Sequence, residues 1–508
     1  MSHKLYWGDS HLNLHSRDKE RFEDAFQAAR GHLDFLPLAY YPMDYYHTDE
    51  GLRVESWHNR PNFLEEWECI KQLCKQYHEP GCFVPFVGYE WGGNRTRWGD
   101  HNVYYFDEDN LLDDADDIDD LYANLRKTRA LAIPHHVGYS TTQRAKDWDH
   151  FDPNLSPFVE IFSNHGLSET PINRWPQPNY AMGPWTNGST VMDALARGLR
   201  VGIICSGDSH NAFGGVYGSG LMGVWADELT RESLWEAFLS RRVYGVTGDR
   251  MVLDYRVNGA CMGSEIQSNG GPVKATISAD CPQEIDRIEL IRNNRVFRTW
   301  SHQDGLLPSD ADPVRCRIRI EPGWGPTVSY GYKAHEKKWV GGLSISEGEI
   351  SVLQGCWTDF GNSISQESDQ SVQFQTLTRG IRNQPSQAFM VEVRAPRSAT
   401  IRFDADPFDV SFSVEEALGR TQLWADLEGI KAITEEQFGL KHDEIENPDV
   451  FFHNAYKLRI CQAATEPEFT AEVDFEDPNP PEGRNWYYAR ISQMNGQMGW
   501  TSPVWVDV

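Results

Sequence analysis

The amino-acid sequence predicts an α/β fold: a barrel of strands and helices over residues 1–250, followed by a β-rich, sandwich-like domain over residues 251–508. Three observations predict it. Short apolar runs alternate with amphipathic runs through the first half, as in a parallel sheet covered on both faces. Histidines and carboxylates recur just after the apolar runs, where such barrels carry their sites. Near Met251 the texture changes to short, partly alternating segments bounded by Gly, Pro and Asn, the pattern of antiparallel strands.

The elements follow in order. "KLYWGD" reads as a strand and "RDKERFEDAFQAARGH" as an amphipathic helix with Phe22, Phe26 and Ala29 on one side. "LDFLPLAYY" and "CFVPFVGYEW" read as buried strands, with the helix "NFLEEWECIKQLCKQY" between them. "DLYANLRKTRA" with "LAIPHH", and "VMDALARGL" with "RVGIICSGDSH", repeat the unit. Beyond Met251, "MVLDYRVNG", "PVKATISAD", "QAFMVEVRAP" and "RNWYYARISQMNG" read as strands, and residues 412–440 as a helical insertion.

Composition narrows the classes. The 508 residues are 40% hydrophobic and 24% charged, which is globular. The net charge of −28 repels phosphate backbones and argues against nucleic acid as the main partner. No apolar run reaches membrane-spanning length, and "MSHKLYWGDS" lacks the pattern of a secretory signal. The nine cysteines are scattered without a C-x-x-C pair, which fits free thiols and a cytoplasmic location. The acidic run from Phe106 to Tyr122 reads as a solvated loop or helix start.

Thirteen of the seventeen histidines lie at or before His210, so imidazole chemistry belongs to the first half. Five strand-end segments carry the candidates: "GDSHLNLHS" (Asp9, His11, Asn13, His15), "VGYEWGGNRTRWGDHN" (Glu90, Asp100, His101), "AIPHHVGY" (His135, His136), "VEIFSNHGLSE" (Glu160, His165, Glu169) and "ICSGDSHNAFGG" (Asp208, His210). Imidazole and carboxylate are the ligands of zinc, manganese and iron. Arg95, Arg97 and Arg144 are candidates to clamp an anion. Trp91, Trp98, Trp148, Trp175 and Trp185 are candidates for stacking or for lid packing.

The order of His11, then Glu90 after a strand, then "PHH", then "GDSH" resembles the polymerase-and-histidinol-phosphatase (PHP) superfamily. "LYWGD", "GYEW", "AIPHH", "VEIFS" and the long stretch from Gly218 to Arg250 are similar to a PHP-like branch of unknown function. The resemblance implies a distorted (β/α)7 barrel with one or two divalent ions (Mn, Zn or Fe) per chain. It implies that His11, Glu90 and Asp208 hold one ion, that Glu90 bridges to a second held also by His101 and His135, and that His210 serves a third position or the substrate pocket.

The sequence departs from the pattern twice. Asn13 stands where the second histidine of H-x-H is usual, and Tyr40 and Tyr41 stand where an Asp and a His are usual. His15 and His47 lie near enough in sequence to compensate. Loss of ligands and a tyrosine acting as general acid or base both remain open. The catalytic candidates are therefore Asp9, Tyr40, Tyr41, Arg95, His136 and His165. The metal candidates are His11, Asn13, His15, Glu90, His101, His135, Asp208 and His210.

The expected function is a cytoplasmic metal-dependent hydrolase acting on a small anionic ester, most readily a phosphoester. A carbohydrate-directed hydrolase or lyase on the same scaffold and a non-catalytic binding protein are the alternatives. The expected partner is a small anionic molecule or a glycan, with neither nucleic acid nor membrane, and the oligomeric state stays open.

Overall fold

A computed structural model describes residues 3–48, 51–56, 61–140, 144–172, 182–268, 270–302, 308–333, 336–380, 385–444 and 449–508, without the side chains of 43–48, 51–56 and 61. His47 and Trp175 therefore lie outside what is described. The protein is mixed α/β and mostly strand, 42% strand against 20% helix, in several sheets. No helix among the described residues is long and apolar enough to cross a membrane. None of the nine cysteines forms a disulfide.

The chain forms two compact units. The first comprises residues 1–281, 285–301 and 471–508, and the second residues 282–284 and 302–470. The change of texture at Met251 is thus not the boundary of a unit. The last strands of the chain return to the first unit: Met498–Thr501 pairs antiparallel with Val243–Val246.

Up to Val246 the strands of the first unit are β1 (Lys4–Gly8), β2 (Leu12–His15), β3 (Phe35–Tyr41), β4 (Met43–Thr48), β5 (Gly51–Ser56), β6 (Val84–Phe86), β7 (Gly88–Trp91), β8 (His101–Tyr105), β9 (Ala130–Pro134), β10 (Phe158–Ser163), β11 (Gly166–Leu167), β12 (Gly202–Cys205), β13 (Leu221–Ala226) and β14 (Val243–Val246). The helices among them are α1 (Phe22–Arg30), α2 (Pro61–Tyr77), α3 (Arg95–Trp98), α4 (Ile118–Leu125), α5 (Val191–Ala196) and α6 (Arg231–Leu239).

The ladder runs β14-β13-β1-β3-β7-β8-β9, while β10, β11 and β12 form a separate sheet. It is not the closed (β/α)7 barrel that the sequence predicts. The pairs β1–β3, β3–β7 and β10–β12 are parallel, but β1–β13, β13–β14, β7–β8 and β8–β9 are antiparallel. Connection length explains one reversal. Only residues 92–100, holding the single turn α3, join β7 to β8, and a parallel return needs a crossover of a dozen or more residues.

Local chemistry accounts for the helices. In α1, Phe22, Ala25, Phe26 and Ala29 form the buried stripe. The acidic run supplies a cap, since Asp117 accepts from the Asp119 amide at the start of α4. Thr190 and Asp193 form a capping box on α5. Every residue of β3 and β10 is buried, as in strands covered on both faces. Phe35, Phe86, Phe158, Trp235 and Phe238 form one core cluster beneath them.

The second unit contains two antiparallel sheets, one built on Val314–Trp324 and one on Glu336–Ile345. Phe374 and Phe389, one from each sheet, meet with ring centroids 4.8 Å apart. The expected helical insertion is instead two helices, Val414–Gly419 and Leu427–Phe438. The strand Gln422–Ala425 interrupts them and pairs with Tyr456–Ile460, so ladder hydrogen bonds override helix propensity there.

Gly88 lets β7 lie against its neighbours, because an added Cβ would collide with the carbonyl oxygens of Leu38 and Val103. Gly88→Ala is expected to cost about 2 kcal/mol, the usual scale of overpacking. A lower urea midpoint at unchanged slope checks this.

Candidate metal centre

The loop after β1, the end of β7, the segment after β9, the end of β10 and the loop after β12 converge on one buried place. There His11 Nε2 lies 3.6 Å from Glu90 Oε2 and 3.4 Å from Asp208 Oδ1. His135 Nε2 is 3.9 Å from Glu90 Oε1. Asp208 Oδ2 meets His165 Nε2 at 3.0 Å, and its Oδ1 meets His210 Nε2 at 3.1 Å. His11 and His135 have ring centroids 4.2 Å apart, and His136 and His165 4.6 Å apart.

Three groups of side chains have ligand atoms within 4.8 Å of one another: His11, Glu90 and His135; Asp100, His135 and His136; and His136, His165 and Asp208. His135 and His136 each belong to two groups, so the groups form a continuous row. Asp208, with φ 51°, and His136, with φ 33°, adopt the left-handed backbone region. Such conformations cost about 1–3 kcal/mol and persist where surrounding structure holds them.

Charge decides the character of the site. Glu90, Asp100, Glu160 and Asp208 are all buried. Burial works against the Asp208 carboxylate, yet His11, His165 and His210 hold its pKa well below the usual range. Burial likewise opposes Glu90, but His11, Arg95 and His135 bring it down. Burial raises Asp100 in spite of Arg95 and Arg144. Burial pushes His135 and His136 well below the ordinary imidazole value and keeps them neutral, the form that binds metals. It lowers His15 to about 3, reinforced by Arg17 and His210. Burial opposes the charge on His11 too, but Asp208 and Glu160 outweigh it and raise its pKa. His165 rises against burial because of Asp208.

The residues fit a divalent cation. His11 Nε2 and both ring nitrogens of His135 are buried without a hydrogen-bond partner, and the Nε2 atoms of both residues face Glu90. A buried polar atom left so is costly unless something satisfies it. A second layer fixes the ligands. Glu160 Oε2 accepts from His11 Nδ1 at 2.8 Å and from Ser206 Oγ at 2.6 Å, while Glu160 Oε1 accepts the His136 amide at 3.1 Å. Such a carboxylate sets the tautomer and orientation of a ligating imidazole.

Not every expected site residue stands here. Asp9 is buried but faces the backbone: Oδ1 accepts the amides of His11 (3.0 Å) and Gly207 (2.8 Å), and Oδ2 that of Gly215 (2.8 Å). It fastens the loop after β12 to β1 rather than reaching the ligands. Tyr40 donates to Glu66 Oε2 at 2.7 Å and packs against Phe22 and Trp67, so its hydroxyl serves the core. Burial and Glu66 raise its pKa, the reverse of what a base needs. His101 joins none of the ligand groups among the described residues. It pairs across the ladder with Trp91 while Asn102 pairs with Glu90, which puts His101 on the opposite face of the sheet from Glu90. Its ring packs against Trp91 and Tyr122.

Tyr41, Asn13, His15 and His210 line the edge of the site. Arg95 Nη1 donates to Tyr41 OH and Arg95 Nη2 to Glu90 Oε1, each at 3.1 Å. Arg95 Nε and Arg144 Nη2 flank Asp100 at 3.0 and 2.5 Å. Asn13 Nδ2 donates to Asp208 Oδ1 at 3.2 Å, so it orients a ligand. His15 Nε2 meets His210 Nδ1 at 2.7 Å. The ligand-set reading missed Asp100, Glu160 and His165. Each lies in a strand-end segment that was already singled out, which was the only signal.

Among known proteins, a family described as "Protein of unknown function (DUF3604)" matches residues 206–265. An "Uncharacterized protein" of Chlamydia pneumoniae is 26% identical over 54% of this chain and 47% of its own length. One of Chlamydia trachomatis is 25% identical over 60% of this chain and 50% of its own. The chain thus spans about half the length of the curated relatives it matches. A solved two-domain protein of Bacteroides vulgatus, described as containing a predicted PHP-like metal-dependent phosphoesterase, is 12% identical with a TM-score of 0.33, covering 81% of this chain and 95% of its own.

Two predictions follow from this geometry. Glu160→Gln is expected to weaken divalent-metal binding about 10–100-fold, measured by competition with a chromophoric chelator. In the metal-free chain His15, His101, His135 and His136 have lowered pKa values, and His11 and His165 raised ones. Below about pH 6.5 only the unfolded chain takes up the protons of the first four, so stability falls with acidification. As pH rises through the folded values of His11 and His165, their contribution is lost. Chemical denaturation across pH is therefore expected to show a stability maximum near neutrality, and a monotonic profile through this range would contradict it.

Proposed function

We propose that the protein is a metal-dependent hydrolase that cleaves a small anionic ester, a phosphoester first, at the His11–Glu90–Asp208 centre. The observation that carries this reading is the row of three ligand groups, at whose middle His135 and His136, buried with lowered pKa values and unpartnered ring nitrogens, lie beside Glu90 and Asp100. The likeness of the sequence motifs to the PHP superfamily supports the same chemistry.

A divalent cation held there supplies a Lewis acid that polarises the ester and makes water nucleophilic at neutral pH. His11, Glu90 and His135 are the ligands at one end of the row, and His136, His165 and Asp208 those at the other. Asp100, between Arg95 and Arg144, adds a ligand while the guanidiniums bring positive charge to the place where an anion must bind. His210 is the partly exposed member of the edge, with one ring nitrogen on Asp208 and the other on His15.

The carboxylates raise the pKa values of His11 and His165 in the metal-free chain, so cation binding competes with protons there. Affinity therefore rises with pH. The test is exhaustive chelation followed by manganese or zinc, with phosphate release read over a panel of small esters. Turnover is expected to vanish and return, and Glu90→Gln to lower metal content and activity together. Full turnover in verified metal-free protein would sink the proposal.

A further inference from the structure

The second unit holds a cavity of about 440 Å³ remote in sequence from every metal ligand, lined by Trp324, Thr327, Ser329, Tyr330, Pro385 and His453. Its volume is that of an ordinary small-molecule site. Its chemistry differs sharply from that of the metal centre. Among the described residues that line it there is no carboxylate, ammonium or guanidinium.

The aromatic groups are presented rather than packed away. Tyr330 is 49% exposed, and its ring centroid lies 4.5 Å from that of His453. Trp324 is half-buried at the end of the strand Val314–Trp324 and has φ 60°, a left-handed conformation that is a true outlier for so bulky a residue. Tight packing enforces it. An added Cβ on Gly325 would run into the ring of Tyr456, one on Gly323 would meet the backbone of Ser386, and the Trp324 amide donates to the Pro385 carbonyl. The cost of such a backbone, about 1–3 kcal/mol, recurs at ligand sites. Its consequence here is that the indole lines the cavity instead of joining the core below, where Trp339 and Tyr456 already meet at 5.8 Å.

Polar groups are few and uncharged. Thr327 Oγ1 and Ser329 Oγ share a hydrogen bond of 3.0 Å, which uses one proton and leaves a hydroxyl hydrogen and lone pairs for a ligand. The Thr327 amide is anchored to Asn454 Oδ1 at 3.2 Å, which holds this loop in place. Arg459, whose guanidinium carbon lies 5.9 Å from the centre of the Trp324 ring, is paired with Glu321.

We infer that this cavity is a binding site for a neutral sugar residue. A pyranose offers an apolar C–H face to an aromatic ring and hydroxyls at its edge. Trp324 and Tyr330 supply the rings, and Thr327 and Ser329 the edge partners. Among the described lining residues an anionic ligand meets no guanidinium or ammonium group, and a purely aliphatic one would waste the hydroxyl pair. The inference is independent of the proposed hydrolysis, since no residue is shared.

The test uses the full chain in its metal-loaded form, titrated with neutral oligosaccharides of glucose, xylose, mannose and N-acetylglucosamine while tryptophan fluorescence and calorimetry are followed. Saturable binding to at least one is expected. Tyr330→Ala, at a half-exposed position, is expected to weaken it about fivefold to tenfold, the scale of one aromatic contact, with bound metal unchanged. Trp324→Ala is expected to abolish it. If that variant fails to fold by circular dichroism, Tyr330→Ala and Thr327→Val decide the question. Failure of every oligosaccharide to bind, binding that Tyr330→Ala leaves unaltered, or displacement of the sugar only by a proline-rich peptide would each overturn the inference.

Discussion

Four carboxyl groups share one buried pocket, and the first unit is organised around the cost of keeping them there. Glu90, Asp100, Glu160 and Asp208 come from three of the strand-end segments. Like charges at such short range in a low dielectric repel strongly. Two guanidiniums, and two imidazoles whose pKa values the carboxylates raise, offset them in the metal-free chain. The same offset can be supplied by divalent cations, which is why the pocket reads as a metal centre and not as a salt-bridge network.

That constraint explains features which otherwise look unrelated. Asp9 spends both oxygens on three amides because the loop bearing Asp208 and His210 must be held against the repulsion it helps to create. Glu160 ties His11, Ser206 and the His136 amide together, so one carboxylate fixes two ligand segments at once. The left-handed backbone of Asp208 and of His136 is the local cost of turning these side chains inward. Asn13 and Tyr41, which replace residues usual in the PHP pattern, remain hydrogen-bonded to Asp208 and Arg95 and so act on the centre through others.

The two units divide chemical character. The first gathers charge and imidazole, while the described lining of the second unit's cavity consists mainly of aromatic rings and hydroxyls. An aromatic site and a metal site ask different things of the backbone. The metal site needs many segments to converge. The aromatic site needs one strand end, Gly323–Trp324–Gly325, forced outward by the packing beneath it.

The sequence by itself determined the strand-end segments, the helices α1 and α2, the β-rich character of the later chain and the restriction of imidazole chemistry to the first half. These follow from periodicity and composition, which are local quantities. Tertiary structure decided the rest. The alternation in "GDSHLNLHS" could not tell that Asp9 serves backbone amides, because that depends on a loop some two hundred residues away. The adjacent pair Asp100 and His101 could not be ranked by type, and only the antiparallel register of β7 and β8 puts His101 on the face away from Glu90. Tyr40 and Tyr41 read alike, yet one meets Glu66 in the core and the other Arg95 at the centre, because neighbours on a strand point to opposite faces. Strand direction was likewise beyond reach: the same apolar runs serve parallel and antiparallel ladders, and the short connection between β7 and β8 made that pair antiparallel where an all-parallel barrel was expected.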